Sequence, residues 1–421
     1  MTDTAIEVVV QIAGEDVLAG RLWSHRRGRA ESATFAYEPG FLARPDAYEL
    51  DPSLTLVANQ QQTPADRKIF AAFSDSAPDR WGRRVIDRTE KGRADREGRT
   101  ERSFGEIDYL LGVRDDLRQG ALRFRAPGAG TYLANETEGI PPLIELSRLL
   151  NAADRLERDD PSEEDLTLLL RGGSSLGGAR PKASVSVGPG SAAIAKFPSP
   201  ADDHDVVRWE AVALGLAREA GIEVPDYGLH SVDGKAVLVI DRFDRAGGVR
   251  VGYVSAMTML ESTDGEQGSY IDIADAIERN SPQAGQDLEQ LWRRAAFSVL
   301  ISNTDDHLRN HGFLRTSSAG WTLSPAFDLN PDASPGPKHL STTIDFDDPA
   351  ASIELLMAVR EYFRLGENRA RQVLGAVVAA TRQWREAAAA TGLDRVAIEQ
   401  MASAFEHEQA RAAAVLAPDS P

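Results

Sequence analysis

The sequence predicts an α+β chain that is β-rich at its start, mixed in its middle and mainly helical at its end. Three observations carry that prediction. Residues 6–12 and 17–23 read as a strand and its hairpin partner, and residues 33–37 alternate like a third strand. A glycine-rich run at 172–178 opens onto an alternating segment, 183–187, and a second strand-like one, 192–197. From Ile353 to Leu416 the chain is Ala-rich with a helical period.

The bulk numbers set limits. At 421 residues the chain exceeds one small core, and two or three domains are expected. With 42% hydrophobic and 27% charged residues it has the balance of a soluble globular protein. No run approaches the length of an apolar membrane span, and the first residues carry neither a basic nor a long apolar segment, so no membrane span and no signal peptide are expected. The absence of cysteine excludes disulfides, thiolate metal sites and a cysteine nucleophile, and fits the cytoplasm. A formal charge of −18 argues against broad nucleic-acid binding through the chain's own surface; a basic partner would have to bring it to DNA.

The elements come in order. After the opening strands, Pro78 and Asp79 suit the first turn of a helix. Residues 87–102 are dense in both charge signs and read as a solvated helix or loop. Pro127-Gly128-Ala129-Gly130 marks a boundary. Residues 141–150 and 162–170 read as amphipathic helices, the second capped by Ser162 with Asp165 three residues on. Two strands come after the glycine-rich run, then a helix over 205–220 ending at Gly221, then a buried strand at 237–240. Beyond it the chain reads as mostly helical, apart from the region of a loop at 303–310, with a strand-like 312–314 after it and a strand at 321–323. The division expected is a β-rich subdomain over 1–130, a lobe with the glycine-rich loop over 131–245, and a mainly helical lobe over 246–421.

The chemistry-bearing residues lie in six stretches. Four glycines surround Ser174 and Ser175 directly before a strand, where backbone N–H groups can approach phosphate oxygens and the serines are candidate phosphate acceptors. Lys196 stands among apolar neighbours in a strand, and Glu210 in the next helix is a candidate partner. Asp241-Arg242-Phe243-Asp244-Arg245 comes after an apolar run, where a hinge would offer backbone groups and an apolar wall to an adenine ring. In Asn303-Thr304-Asp305-Asp306-His307-Leu308-Arg309-Asn310, Asp305 and Asn310 have the spacing of a kinase catalytic base and its magnesium-binding Asn. Asp306 is adjacent to Asp305, and the four-residue gap to Asn310 selects Asp305. His307 is a candidate to orient the base or contact a phosphate, and Arg309 to steady the transferred phosphoryl charge. Asp328, directly after Phe327 and eighteen residues past Asn310, sits where a kinase places its second magnesium carboxylate. Each feature alone also fits a plain loop or surface. Together they fall in the order of a bilobal protein-kinase-like fold.

These stretches resemble the HipA-like serine/threonine kinases, toxins of bacterial type II toxin–antitoxin pairs. The resemblance is carried by SSLGGARPK (174–182), IAKFP (194–198), IDRFDR (240–245), NTDDHLRN (303–310) and SPAFDLNP (324–331), with DSAPDRWGRR (75–84) and DYLLGVRDDLRQGALRF (108–124) matching the family's N-terminal subdomain. It implies Asp305 as catalytic base and Asn310 and Asp328 as magnesium ligands. It implies Lys196 on the ATP phosphates, and Asp241, Phe243 and Asp244 around adenine and ribose. Ser175, Gly177, His307 and Phe327 join this nucleotide set. Asp241 stands where Glu is common, which keeps the carboxylate and shortens its reach. Ser175, or Ser174 beside it, would be the autophosphorylated serine; a phosphoserine adds about −1.5 to −2 charges where ATP phosphates must sit. The resemblance further implies a helix-turn-helix antitoxin like HipB, operator DNA reached through that antitoxin, and a protein substrate; aminoacyl-tRNA synthetases are among the family's substrates.

The expected function is therefore a Mg-ATP-dependent protein kinase. One rival is a lipid or small-molecule kinase, since phosphoinositide kinases share a D-x-H-x-x-N loop; Asp345, Asp347 and Asp348 in the segment 332–349 argue against a membrane-facing version. The other rival is a non-catalytic co-repressor that bridges antitoxin and DNA.

Overall fold

The computed structural model describes residues 5–28, 30–134, 140–173, 178–188, 191–346 and 348–417. The chain forms two compact units: Met1–Ala201 with Ser231–Val254 and Leu314–Ser318, and Asp202–His230 with Ser255–Phe313 and Ala319–Pro421. The fold is mixed α/β with a β-rich N-terminal region and a helical C-terminal region, as the sequence predicts.

The first unit begins with a five-stranded antiparallel sheet. Its strand order is Gln61–Gln62, Ala30–Tyr37, Glu15–Arg27, Ala5–Ile12, Leu122–Arg125. The period-two pattern sends Val8, Val10, Leu22, Ala33 and Phe35 to one face. There they meet Phe41, Phe70, Phe73 and Phe124, and Phe35 packs edge-on against Tyr37 at 4.9 Å and Phe73 at 5.7 Å. Helix Arg80–Glu97 starts where Pro78 and Asp79 place it: the Asp79 carboxylate accepts a hydrogen bond from Gly82 N at 2.7 Å. Its charge-dense end is a solvated helix closed by ion pairs such as Arg99–Glu90.

A second sheet of the first unit carries Lys182–Gly188, Ser191–Lys196 and Lys235–Asp241, all antiparallel, with Lys182 opposite Lys196 and Ala193 opposite Asp241. Val185, Ala193, Ala195, Val237 and Val239 face Leu149, Leu150, Leu156, Leu166 and Leu169 from helices Leu146–Glu157 and Glu163–Arg171. Ser162 and Asp165 form the expected capping box. The first of these helices starts later than position 141, because the Pro141 carbonyl accepts a hydrogen bond from Ser186 N and Pro142 bridges to that strand. A short hairpin, Arg245–Ala246 with Val249–Arg250, lies at the start of the stretch that the sequence reads as mostly helical. Gly247 and Gly248, at φ 57° and 83°, make the tight turn that L side chains resist.

The second unit is built around helix Ala284–Leu300, which is buried from Leu291 to Leu300. It packs against Tyr270–Asn280 and Glu367–Thr381. Helix Val206–Glu219 contributes Trp209, whose ring lies 6.2 Å from both Trp384 and Phe405. The buried helix anchors the polar loop at its C-terminal end: Ile301 caps the helix, and the chain enters that loop directly after it.

Candidate functional site

Ser302, at φ 53°, turns the chain out of the helix; its hydroxyl donates to Ala404 O at 3.0 Å, and Asn303 N bonds back to Ser298 O at 2.8 Å. The two neighbouring acidic residues of the loop part company. Asp305 is exposed. Asp306 is 4% exposed and accepts hydrogen bonds from the Tyr270 hydroxyl and from Ser298 Oγ (3.0 Å), with His311 Nε2 at 3.2 Å. Burial pushes the Asp306 carboxyl up, but His311, Tyr270 and Ser298 together hold it below the usual carboxylate range. Burial and the facing carboxylate push Tyr270 well above an ordinary phenol. Asp306 thus pins the loop to two helices, and of the adjacent pair only Asp305 faces solvent.

The Asp305 carbonyl accepts from His307 N at 2.9 Å and from Asn310 Nδ2 at 3.0 Å. Because the Asn310 amide nitrogen is committed there, its oxygen is turned the opposite way. Arg309 makes a forked pair with Asp264, at 2.9–3.1 Å, in an exposed position. That pairing holds the guanidinium against a solvent-exposed acid.

Asp328 sits at φ 59°, a left-handed conformation that costs a non-glycine residue about 1 kcal/mol or more and recurs at functional sites. Its segment is laced to the loop. Asn330 N donates to Asn303 Oδ1 (3.4 Å), Asp332 N to Ser302 O (3.2 Å) and Thr304 Oγ1 to Asp332 Oδ2 (3.2 Å). The structure thereby brings the Asp305–Asn310 loop beside the Asp328 segment in one unit. Among the described residues, the buried atoms His307 Nδ1, Asn303 Nδ2 and Asn330 Oδ1 have no hydrogen-bond partner, which suits a site that expects a polar ligand. Phe327 is half-buried at the same segment. No group of three or more His, Asp or Glu gathers to hold a metal among the described residues. The donors present, one carboxylate and one amide oxygen, are hard oxygens that suit a magnesium ion keeping water and phosphate in its shell.

In the first unit, Lys196 is half-buried at the end of its strand, opposite Lys182 and Leu238. Lys182 is nearly inaccessible and pairs with Asp79 at 2.8 Å, while Trp81 Nε1 donates to Lys182 O at 2.9 Å. Glu210 belongs to the second unit, where it is buried. At the hinge, Asp241 is exposed and Phe243 half-buried, its ring 6.2 Å from Tyr253. Asp244 departs from expectation. It is 1% exposed, and its carboxylate is taken up by Arg242 (2.7 and 2.9 Å), Arg245 (2.8 Å) and Gly120 N (2.7 Å). Burial opposes its charge, but the two guanidiniums outweigh burial and hold it well below the usual carboxylate range. Asp244 is a structural anchor, with no oxygen turned to a ribose. Ser174, Ser175 and Gly177 lie outside the described residues.

The sequence reading missed Asp306, Tyr270, Lys182 and Arg242 as organising residues. Lys182, Arg242 and Asp306 lie within the motifs SSLGGARPK, IDRFDR and NTDDHLRN; Tyr270 lies in none of them.

Residues 174–410 match the HipA-like C-terminal domain, and residues 10–102 match the HipA N-terminal domain. The chain belongs to the HipA-like family. A chain from the Shewanella oneidensis complex of HipA, HipB and operator DNA superposes with a TM-score of 0.63, over 97% of this chain and 96% of that one, at 17% identity; the likeness is one of fold. A provisionally named kinase of Haemophilus influenzae is 28% identical over 162 residues, 35% of this chain and 47% of its own. Y4dM of Sinorhizobium fredii, also provisionally named a kinase, is 29% identical over 157 residues, 34% of this chain and 38% of its own. The match therefore spans less than half the length of these curated relatives.

Proposed function

We propose that this HipA-like chain is a Mg-ATP-dependent protein serine/threonine kinase, the toxin half of a type II toxin–antitoxin pair, acting in the cytoplasm. The observation that carries the reading is the division of labour in the loop: Asp306 is consumed by the fold, Asp305 is exposed, and the Asp328 segment is hydrogen-bonded to the same loop. In this reading Asp305 accepts the proton of the attacking hydroxyl. Asn310 and Asp328 hold magnesium, which neutralises phosphate charge when bound. Lys196 holds ATP phosphates, Asp241 and Phe243 line the adenine and ribose, and His307 and Phe327 flank the phosphates. Ser175, or Ser174, is the autophosphorylated residue.

The partner is argued from charge. At −18 the chain is a poor DNA ligand, so a basic helix-turn-helix antitoxin like HipB would supply the operator contacts. The Shewanella relative's complex with HipB and operator DNA supports this. The substrate is a protein, and aminoacyl-tRNA synthetases are the first class to assay. Mass spectrometry after incubation with Mg-ATP tests the kinase reading. The expected result is a phosphate on the serine pair in the parent chain and none in Asp305→Asn or Asp328→Asn. Equal incorporation in all three overturns it.

A further inference from the structure

We infer that the loop Arg114–Gly120 of the N-terminal region is a positioning element for the hinge 241–245, holding it in the shape that receives adenine; this rests on the kinase reading above. The unit joining them is one compact body. Arg242 Nη1 donates to Leu117 O at 2.7 Å and Nη2 to Arg118 O at 3.1 Å. Arg245 Nη2 donates to Arg118 O at 2.6 Å, and Gly120 N donates to Asp244 Oδ2 at 2.7 Å. Arg250 closes the far side on Asp115 Oδ2 at 3.0 Å. The Arg242 side chain is 0% exposed and that of Asp244 2%. The hinge is thus fastened, side chain to backbone, to a loop more than a hundred residues earlier in the chain.

Fastening decides what the hinge presents. Burial alternates along it: Asp241 exposed, Arg242 buried, Phe243 half-buried, Asp244 buried. Arg242 and Asp244 are committed to the loop, and Asp241 and Phe243 hold the more accessible positions of the hinge. Tyr253, the ring beside Phe243, is braced from the same loop. Gly120 takes φ 74°, and a Cβ there would lie 3.2 Å from Tyr253 N and 3.3 Å from Tyr253 Cβ. Four guanidiniums, those of Arg123, Arg242, Arg245 and Arg250, converge on two buried carboxylates, Asp115 and Asp244. Backbone carbonyls take further donors, and the buried Arg118 binds those of Ser76, Leu110 and Val113. Desolvation lowers Arg118 and Arg245 to about 9. Such a network is costly to loosen at one point, because each freed group is left buried and unpaired.

The test measures KM for ATP, kcat for autophosphorylation and the Kd of Mg-ATP by equilibrium titration on the full chain. The variants are Asp244→Asn and Gly120→Ala. Glu7→Gln is the control: it breaks a largely buried pair with Arg125 (2.7 Å) in the N-terminal sheet, away from the hinge. Both test variants should raise KM and Kd about tenfold, with kcat within about twofold. The control should lose comparable thermal stability with KM and Kd unchanged. If Asp244→Asn does not fold, Gly120→Ala is read alone. Unchanged Kd in the folded variants, or an equal shift in the control, overturns the inference. Absence of phosphate transfer in the parent chain would strike the kinase reading instead, while the Kd comparison still judges the loop.

Discussion

The loop 303–311 and the hinge 241–245 read alike in sequence, each a short polar run with two aspartates behind an apolar segment. The fold treats them alike too: in each, one carboxylate is exposed and the other is consumed. What consumes it differs. Asp306 accepts from neutral hydroxyls with an imidazole beside it, while Asp244 is gripped by guanidiniums and a backbone N–H. The hydroxyl-held carboxylate locks the loop to its own helices and leaves Asp305 on a rigid base. The guanidinium-held one ties the hinge to a distant loop. A loop that leaves one acid exposed thus uses a second acid as its anchor.

That contrast is sharpest in the loop 303–311. Asp305→Asn should lower phosphate incorporation by about a thousandfold or more, with the melting temperature unchanged, as measured by mass spectrometry and calorimetry. Asp306→Asn should do the converse first. It removes the buried charge and replaces one of the two oxygens with an NH2, a donor set against the Tyr270 and Ser298 hydroxyls or His311, at about 3 kcal/mol in urea unfolding; a variant as stable as the parent would break the anchor assignment. Tyr270→Phe, which removes one of the donors, should cost about 1–2 kcal/mol.

The guanidinium side can be sharpened at a simpler pair. Hydrogen bonding from Arg155, opposed by desolvation and aided by Ser162, holds Asp165 at about 2, against an ordinary 3.8. A depressed carboxyl contributes stability above its unfolded value, and that contribution disappears as pH falls from about 4 through about 2. Asp165→Asn should therefore cost about 1 kcal/mol near neutrality through the lost capping box, and should flatten the melting temperature's dependence on pH between about 4 and about 2. The smallest effect belongs to Arg309→Ala. Its pair with Asp264 is exposed, so stability should change by less than about 0.5 kcal/mol.

Much of this molecule was legible before folding was considered. The apolar strand patterns at 6–12 and 192–197, the Asp79 and Ser162 signals for helix starts, and the buried helix before Asn303 are local patterns, and each produced its element. The hairpin at 245–250 was missed, although Gly247-Gly248 announces it. Asp244 was misread because a carboxylate in a hinge motif looks the same whether it faces a ribose or Gly120.

The sequence by itself determined the element types, their caps, and the order of motifs that marks a HipA-like chain, because these depend on residues within a turn or two of each other. Only the tertiary structure decided which aspartate of each pair is exposed. That choice rests on Tyr270, Ser298 and His311 at one site and on Leu117, Arg118 and Gly120 at the other. Burial is set by groups that chain folding brings in from other elements, and no short window of sequence contains them.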